Sequence, residues 1–102
     1  MMDGESRNHC LIPFNPREAI SVSVAARRAG RSERTIRLWC EQHGIGRRVG
    51  GGPSQPGPWM VSKVALALYL DGEHAALQSY LEGDRSPPLI GTYCRREGVR
   101  ST

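Results

Sequence analysis

The sequence predicts one small, mainly α-helical domain that carries a single β-hairpin. Three observations point there. Two short helical segments, each with a serine before it and a glycine after it, are separated only by Gly30-Arg31-Ser32. Two short extended runs, Ile45 to Val49 and Trp59 to Val61, flank a Gly/Pro-rich connection. Two further helical segments follow, one of them apolar nearly all round. At 102 residues there is room for one domain. Hydrophobic residues make up 38 %, so part of the length is assigned outside the core. The expected division is a flexible arm over 1–19, the folded domain over 20–83 with an extra C-terminal helix, and a basic, flexible tail over 84–102.

Ile20-Ser21-Val22 alternates, as one short strand or an extended lead-in does. Ser23 stands where an N-cap belongs, ahead of a helix from Val24 to Ala29 that Gly30 closes. Ser32 is a second N-cap. The segment behind it, Glu33 to His43, has helix-forming composition and stops at Gly44. Its apolar positions are Ile36, Leu38, Trp39 and Cys40, of which Ile36, Trp39 and Cys40 share one stripe. Glu33, Arg34, Arg37 and Glu41 take the opposite face. Two short capped helices joined by so tight a turn make a helix-turn-helix.

The connection from Gly50 to Pro58 holds three prolines and four glycines, which excludes a regular ladder through the tip and predicts a mobile one. Ser62 caps the next helix, Lys63 to Leu70, whose alanines and leucines favour helix over strand and whose end is marked by Asp71-Gly72. A fourth helix, about Glu73 to Glu82, presents Ala76, Leu77, Tyr80 and Leu81 and stops at Gly83. Beyond Ser86-Pro87-Pro88, Leu89 to Glu97 has weak helical character and is expected to fray or to order only on a partner.

The charge is uneven. Residues 25–48 hold seven arginines against Glu33 and Glu41; residues 71–84 hold four acids and no base; the segment from 85 is basic again. Thirteen of the fourteen basic residues are arginine, the side chain suited to bidentate phosphate and guanine recognition. A basic block inside folded sequence is the footprint of a nucleic-acid surface.

Other classes fit less well. The longest apolar run, Val64 to Leu70, falls far short of the roughly 20 residues of a membrane helix. The polar start MMDGESRNHC shows no secretory signal, so a cytoplasmic, nucleoid-associated bacterial protein is expected. Cys10, Cys40 and Cys94 are odd in number and widely spaced, which fits reduced thiols; Cys40 and His43 share a helix face without a second pair to complete a metal site. No nucleophile, base and carboxylate fall at catalytic spacing, and Gly50-Gly51-Gly52 lacks the strand and helix of a phosphate cradle. No enzyme and no cofactor are expected.

Helix, turn, helix, hairpin, helix is the order of a small winged helix-turn-helix DNA-binding domain. Residue by residue, Val24-Ala25-Ala26-Arg27-Arg28-Ala29-Gly30-Arg31-Ser32-Glu33-Arg34-Thr35-Ile36-Arg37-Leu38-Trp39 resembles the excisionase/MerR-like family. That family has an alanine pair, then Gly-x-Ser, then Thr-Ile-Arg-x-Trp in the recognition helix. Arg47-Arg48-Val49-Gly50-Gly51, continuing to Trp59-Met60-Val61 and Ser62, is similar to its wing and third helix. The likeness covers about residues 21–70, and the wing carries an apparent insertion, Gly52 to Pro58. The resemblance implies that the helix from Glu33 enters the major groove while the wing lies along the minor groove.

On that footing Arg34 and Arg37 are the first candidates for base or phosphate contact. Glu33 accepts from a cytosine amino group or, as the preferred reading, favours the positive helix end. Ser32 caps and can meet a phosphate; Thr35 touches the backbone or packs locally. Arg27, Arg28 and Arg31 are assigned to phosphates. Arg47 or Arg48 flanks the minor groove, since alternation lets only one of the pair face DNA. Trp39 and Trp59 are assigned to the core rather than to base stacking. The resemblance implies a recombination directionality factor that self-associates on double-stranded DNA, bends it and steers a site-specific integrase toward excision. The alternatives are a small transcriptional regulator at a promoter and an assembly adaptor such as a phage packaging small subunit.

Overall fold

The computed structural model describes residues 17–50, 54 and 57–99. The chain enters through β1 (Ala19–Ser21), which runs without a break into α1 (Val22–Ala29). This helix starts earlier than its sequence predicts. Ser21, not Ser23, is the N-cap, and its hydroxyl accepts from the Val24 amide at 3.1 Å. The reason is tertiary: Ser21 pairs with Met60 in the sheet, which holds it extended and makes it the last residue before helical geometry begins. Gly30 closes α1 at φ 66°, a left-handed conformation that a side chain resists.

α2 (Glu33–His43) forms as expected, with the Ser32 hydroxyl accepting from the Thr35 amide at 3.1 Å. β2 (Gly46–Arg48) and β3 (Trp59–Ser62) then pair antiparallel, Arg47 opposite Met60 and Arg48 opposite Trp59. β1 takes the other edge of β3, so the expected hairpin belongs to a three-stranded sheet of order β1-β3-β2. The Ser62 hydroxyl caps α3 (Lys63–Leu70) through the Ala65 amide. α3 and α4 (His74–Leu81) follow the expected pattern, with Val64, Ala65, Leu66, Leu68, Leu77, Tyr80 and Leu81 buried.

Past α4 the structure departs from the expectation of a frayed tail. Residues Pro88–Arg96 form a docked helix, α5. The Asp84 carboxylate accepts from both the amide and the hydroxyl of Ser86, which shapes the turn into it. Pro88 fits the first helical turn, where a missing N–H costs nothing. Ile90, Tyr93 and Cys94, at i, i+3 and i+4, are buried, and the Val99 amide returns to the Cys94 carbonyl at 2.8 Å across Gly98, φ 72°. Each large apolar side chain so buried stabilises the fold by about 1.5–3 kcal/mol. The remainder of the proposed arm and tail, and most of the Gly52 to Pro58 insertion, lie outside the described residues.

A buried polar cluster joins the two ends of the fold. Glu18 has no exposed surface; its carboxylate accepts from the Ser62 hydroxyl at 2.8 Å and meets Arg85 at 3.5 Å. Tyr80 shares the cluster, its hydroxyl 3.3 Å from Ser62 and from Arg85, whose guanidinium lies over its ring. The strand entry, the α3 cap, α4 and the loop into α5 therefore meet at one ion pair.

Candidate nucleic-acid interface

α2 has two chemically opposite faces. Ile36 and Cys40 are fully buried, Trp39 is half-buried with its ring 4.8 Å from that of Tyr69, and the His43 ring lies 4.6 Å from the same tyrosine. This inner face seats the helix on α1 and the sheet, with Trp39 and His43 meeting Tyr69 of α3. Glu33, Arg34, Arg37, Leu38 and Glu41 face outward and are exposed. Trp59 is buried, as expected of a core side chain. Cys40 and His43 contact different neighbours, the sheet and Tyr69, and among the described residues no three His, Cys, Asp or Glu come together as a metal site. Burial pushes the Cys40 thiol up to about 12, with Glu41 acting in the same direction.

Gly46 sets the distance between α2 and the hairpin. A Cβ there would stand 2.5 Å from the Met60 carbonyl oxygen and 2.7 Å from Cys40 Sγ. Only glycine allows helix and strand to close to this separation. The outer face of α2 and the two edge arginines of β2 are thereby carried on one rigid seam.

The ten residues singled out in the sequence fall into distinct groups. The side chains of Arg31 and Arg34 have no hydrogen-bond or ion-pair partner among the described residues, and both are exposed. Arg37 lies one turn from Glu33 with a 3.6 Å ion pair, both side chains half exposed. Such a pair contributes only about 0.3–0.5 kcal/mol and yields readily to a stronger anion. Arg27 reaches back to the Ser23 hydroxyl at 3.3 Å. Ser32 and Thr35 are engaged with each other, hydroxyl to hydroxyl at 3.1 Å, besides the capping bond. Arg28 is the most committed on the helices: it pairs with Glu97 at the end of α5 at 2.8 Å.

The two strand arginines also differ. Arg47 is half-buried opposite Met60. Arg48 is exposed but engaged: it donates to the Gly57 carbonyl at 3.0 Å and lies over the Trp59 ring, 4.8 Å from the centroid. The Val49 amide bonds the Pro58 carbonyl just beyond. Arg48 thus staples the base of the Gly/Pro-rich connection.

The residue missed in the sequence is Leu38, a large apolar side chain 46 % exposed in the middle of the charged face. Its signal was its position off the Ile36/Trp39/Cys40 stripe. Glu97 was missed as well, because the partner that defines its role lies 69 residues away. Among the described residues no helix is long and apolar enough to cross a membrane. Comparison of the chain with models of protein families, with curated proteins and with solved structures gives no match.

Proposed function

We propose that the chain is a sequence-specific double-stranded DNA-binding protein of winged helix-turn-helix type, acting as an excisionase-like recombination directionality factor. α2 enters the major groove, and the β2–β3 hairpin braces the duplex beside it. The observation that carries the proposal is the outer face of α2. Among the described residues Arg34 protrudes without a partner, Arg37 has only a loose one, and both stand on a helix whose other face is anchored. A guanidinium kept free in the folded state is available for a guanine edge or a phosphate at no cost in broken contacts.

Arg31, in the turn before α2 and likewise without a partner among the described residues, is the contact we assign to the phosphate backbone. The excisionase part of the proposal draws on the family resemblance over residues 21–70. Copies bound side by side would bend the site, a deformation of about 1–6 kcal/mol offset by contacts between copies and with DNA.

Fluorescence anisotropy on duplex from the DNA flanking the gene, over a salt series, tests this directly. Binding that weakens steeply with salt and loses sequence preference in Arg34→Ala is expected. Several cooperative shifts beside a recombination core fit a directionality factor, whereas a single site over a promoter replaces that part with transcriptional regulation. Absence of binding at about micromolar protein and low salt overturns the proposal.

A further inference from the structure

We infer that Leu38 is a specificity-determining residue that reads a thymine through its 5-methyl group, an inference that rests on the proposed placement of α2 in the major groove. Leu38 is the most exposed large apolar side chain among the described residues, at 46 %. The helix does not bury it: Ile36 and Cys40 fill the inner stripe, and Leu38 points away from them.

Its neighbours on the outer face are Arg34 one turn before, Arg37 beside it and Glu41 one turn after, all exposed. Among the described residues the other exposed large apolar side chains lie elsewhere: Val49 just past β2, Leu70 at the end of α3 and Leu89 in α5. A protein-docking surface needs a contiguous apolar patch, whereas a lone leucine framed by charge matches a small apolar target. The major groove offers one such target, the thymine methyl, on an edge otherwise made of donors and acceptors.

The spacing narrows the prediction. Leu38 lies four residues beyond Arg34, about 6 Å along the helix axis, which corresponds to roughly two base steps. The thymine read by Leu38 therefore falls within about two base pairs of the guanine or phosphate met by Arg34.

The test uses the full chain and a duplex selected from a random-sequence pool. Each thymine of that duplex is replaced singly by deoxyuridine, which removes the methyl group and nothing else. For the wild-type chain, one replacement per bound copy is expected to weaken binding about fourfold, the effect of one buried methyl group. Leu38→Ala should bind the parent duplex about fourfold more weakly and be indifferent to that same replacement. Leu38→Met, which keeps an apolar contact, should retain most of the discrimination. Circular dichroism checks that the variants fold. Equal sensitivity of wild type and Leu38→Ala to every replacement overturns the assignment while leaving DNA binding standing. A uniform loss in Leu38→Ala across all duplexes also overturns it, because Leu38 then acts through protein contacts. Failure of the full chain to select any duplex overturns both this inference and the DNA-binding proposal.

Discussion

Arg34, on the outer face of α2, and Arg85, in the loop between α4 and α5, carry the same guanidinium into opposite surroundings. Arg34 is exposed and has no partner among the described residues. Arg85 meets a fully buried carboxylate, a tyrosine hydroxyl and a buried thiol sulfur, and lies over an aromatic ring. Arg96 is half exposed but also engaged, lying over Tyr93 with Asp71 at 3.9 Å and Glu97 at 3.8 Å. One end of the fold therefore uses arginine as an internal fastener, and the other leaves it available. Net charge does not distinguish the two uses, since both segments are basic. What separates them is whether an acidic partner comes within reach when the chain folds.

The largest effect expected from this contrast concerns the two buried thiols. Cys40 sits in the seam beneath α2 and is pushed from the usual 9.0 up to about 12; Cys94, beside Arg85, is also raised by burial, but the guanidinium opposes the shift. A thiol with a raised folded-state value stabilises the fold fully below the unfolded value and loses that contribution as pH rises toward the folded one. Stability should therefore fall from about pH 9 upward, by about 1.4 kcal/mol per pH unit for Cys40 alone. Urea unfolding across pH 8–11 in Cys40→Ala and Cys94→Ala checks it: the first substitution should flatten the alkaline slope more than the second.

Next is Arg85→Ala, which strands Glu18 as a buried charge and should cost about 3 kcal/mol or more. Adding Glu18→Gln should recover much of the loss, because the amide still accepts from Ser62 without leaving a charge. Full stability in the single variant would show that the cluster is not the fastener its geometry indicates. Gly46→Ala should cost about 1–3 kcal/mol in urea titration by forcing β2 from α2 and β3. Any folded fraction of that variant should bind DNA more weakly if the seam carries the interface proposed for it.

Arg34→Ala should reverse this balance. Stability should stay within about 0.5 kcal/mol while affinity for a preferred duplex drops about 5- to 150-fold. The smallest effect is expected for Arg28→Ala. Its ion pair with Glu97 is exposed on the arginine side and contributes under about 1 kcal/mol, and its DNA affinity should change less than that of Arg34→Ala. A larger affinity loss at Arg28 than at Arg34 would mean that the ion pair opens on DNA and that the comparison drawn from the free protein breaks down.

Where the sequence was legible, the deciding interactions are local. Ser32 and Ser62 announce helix starts because a cap bonds an amide three residues on, whatever the rest of the chain does. The outer face of α2 was readable because Arg34 and Arg37 stand opposite the Ile36/Trp39/Cys40 stripe. Ser21 and Ser23 were confused because both are plausible caps, and only pairing with Met60 distinguishes them. α5 was discounted because Leu89 to Glu97 has only weak helical character by itself. Yet Pro88 suits a first turn, and three well-spaced side chains suffice once a core is there to receive them.

By itself, then, the amino-acid sequence determined the first four helices, the Ser32 and Ser62 caps, the hairpin and the concentration of arginine on one helix face, since helical period and capping act over three or four residues. The tertiary structure decided which arginines remain available. Glu18 meets Arg85 across 67 residues and Arg28 meets Glu97 across 69, separations at which no periodicity carries information. It also decided that Gly46 packs on Cys40 and that β1 completes the sheet, because these depend on where whole elements come to rest against one another.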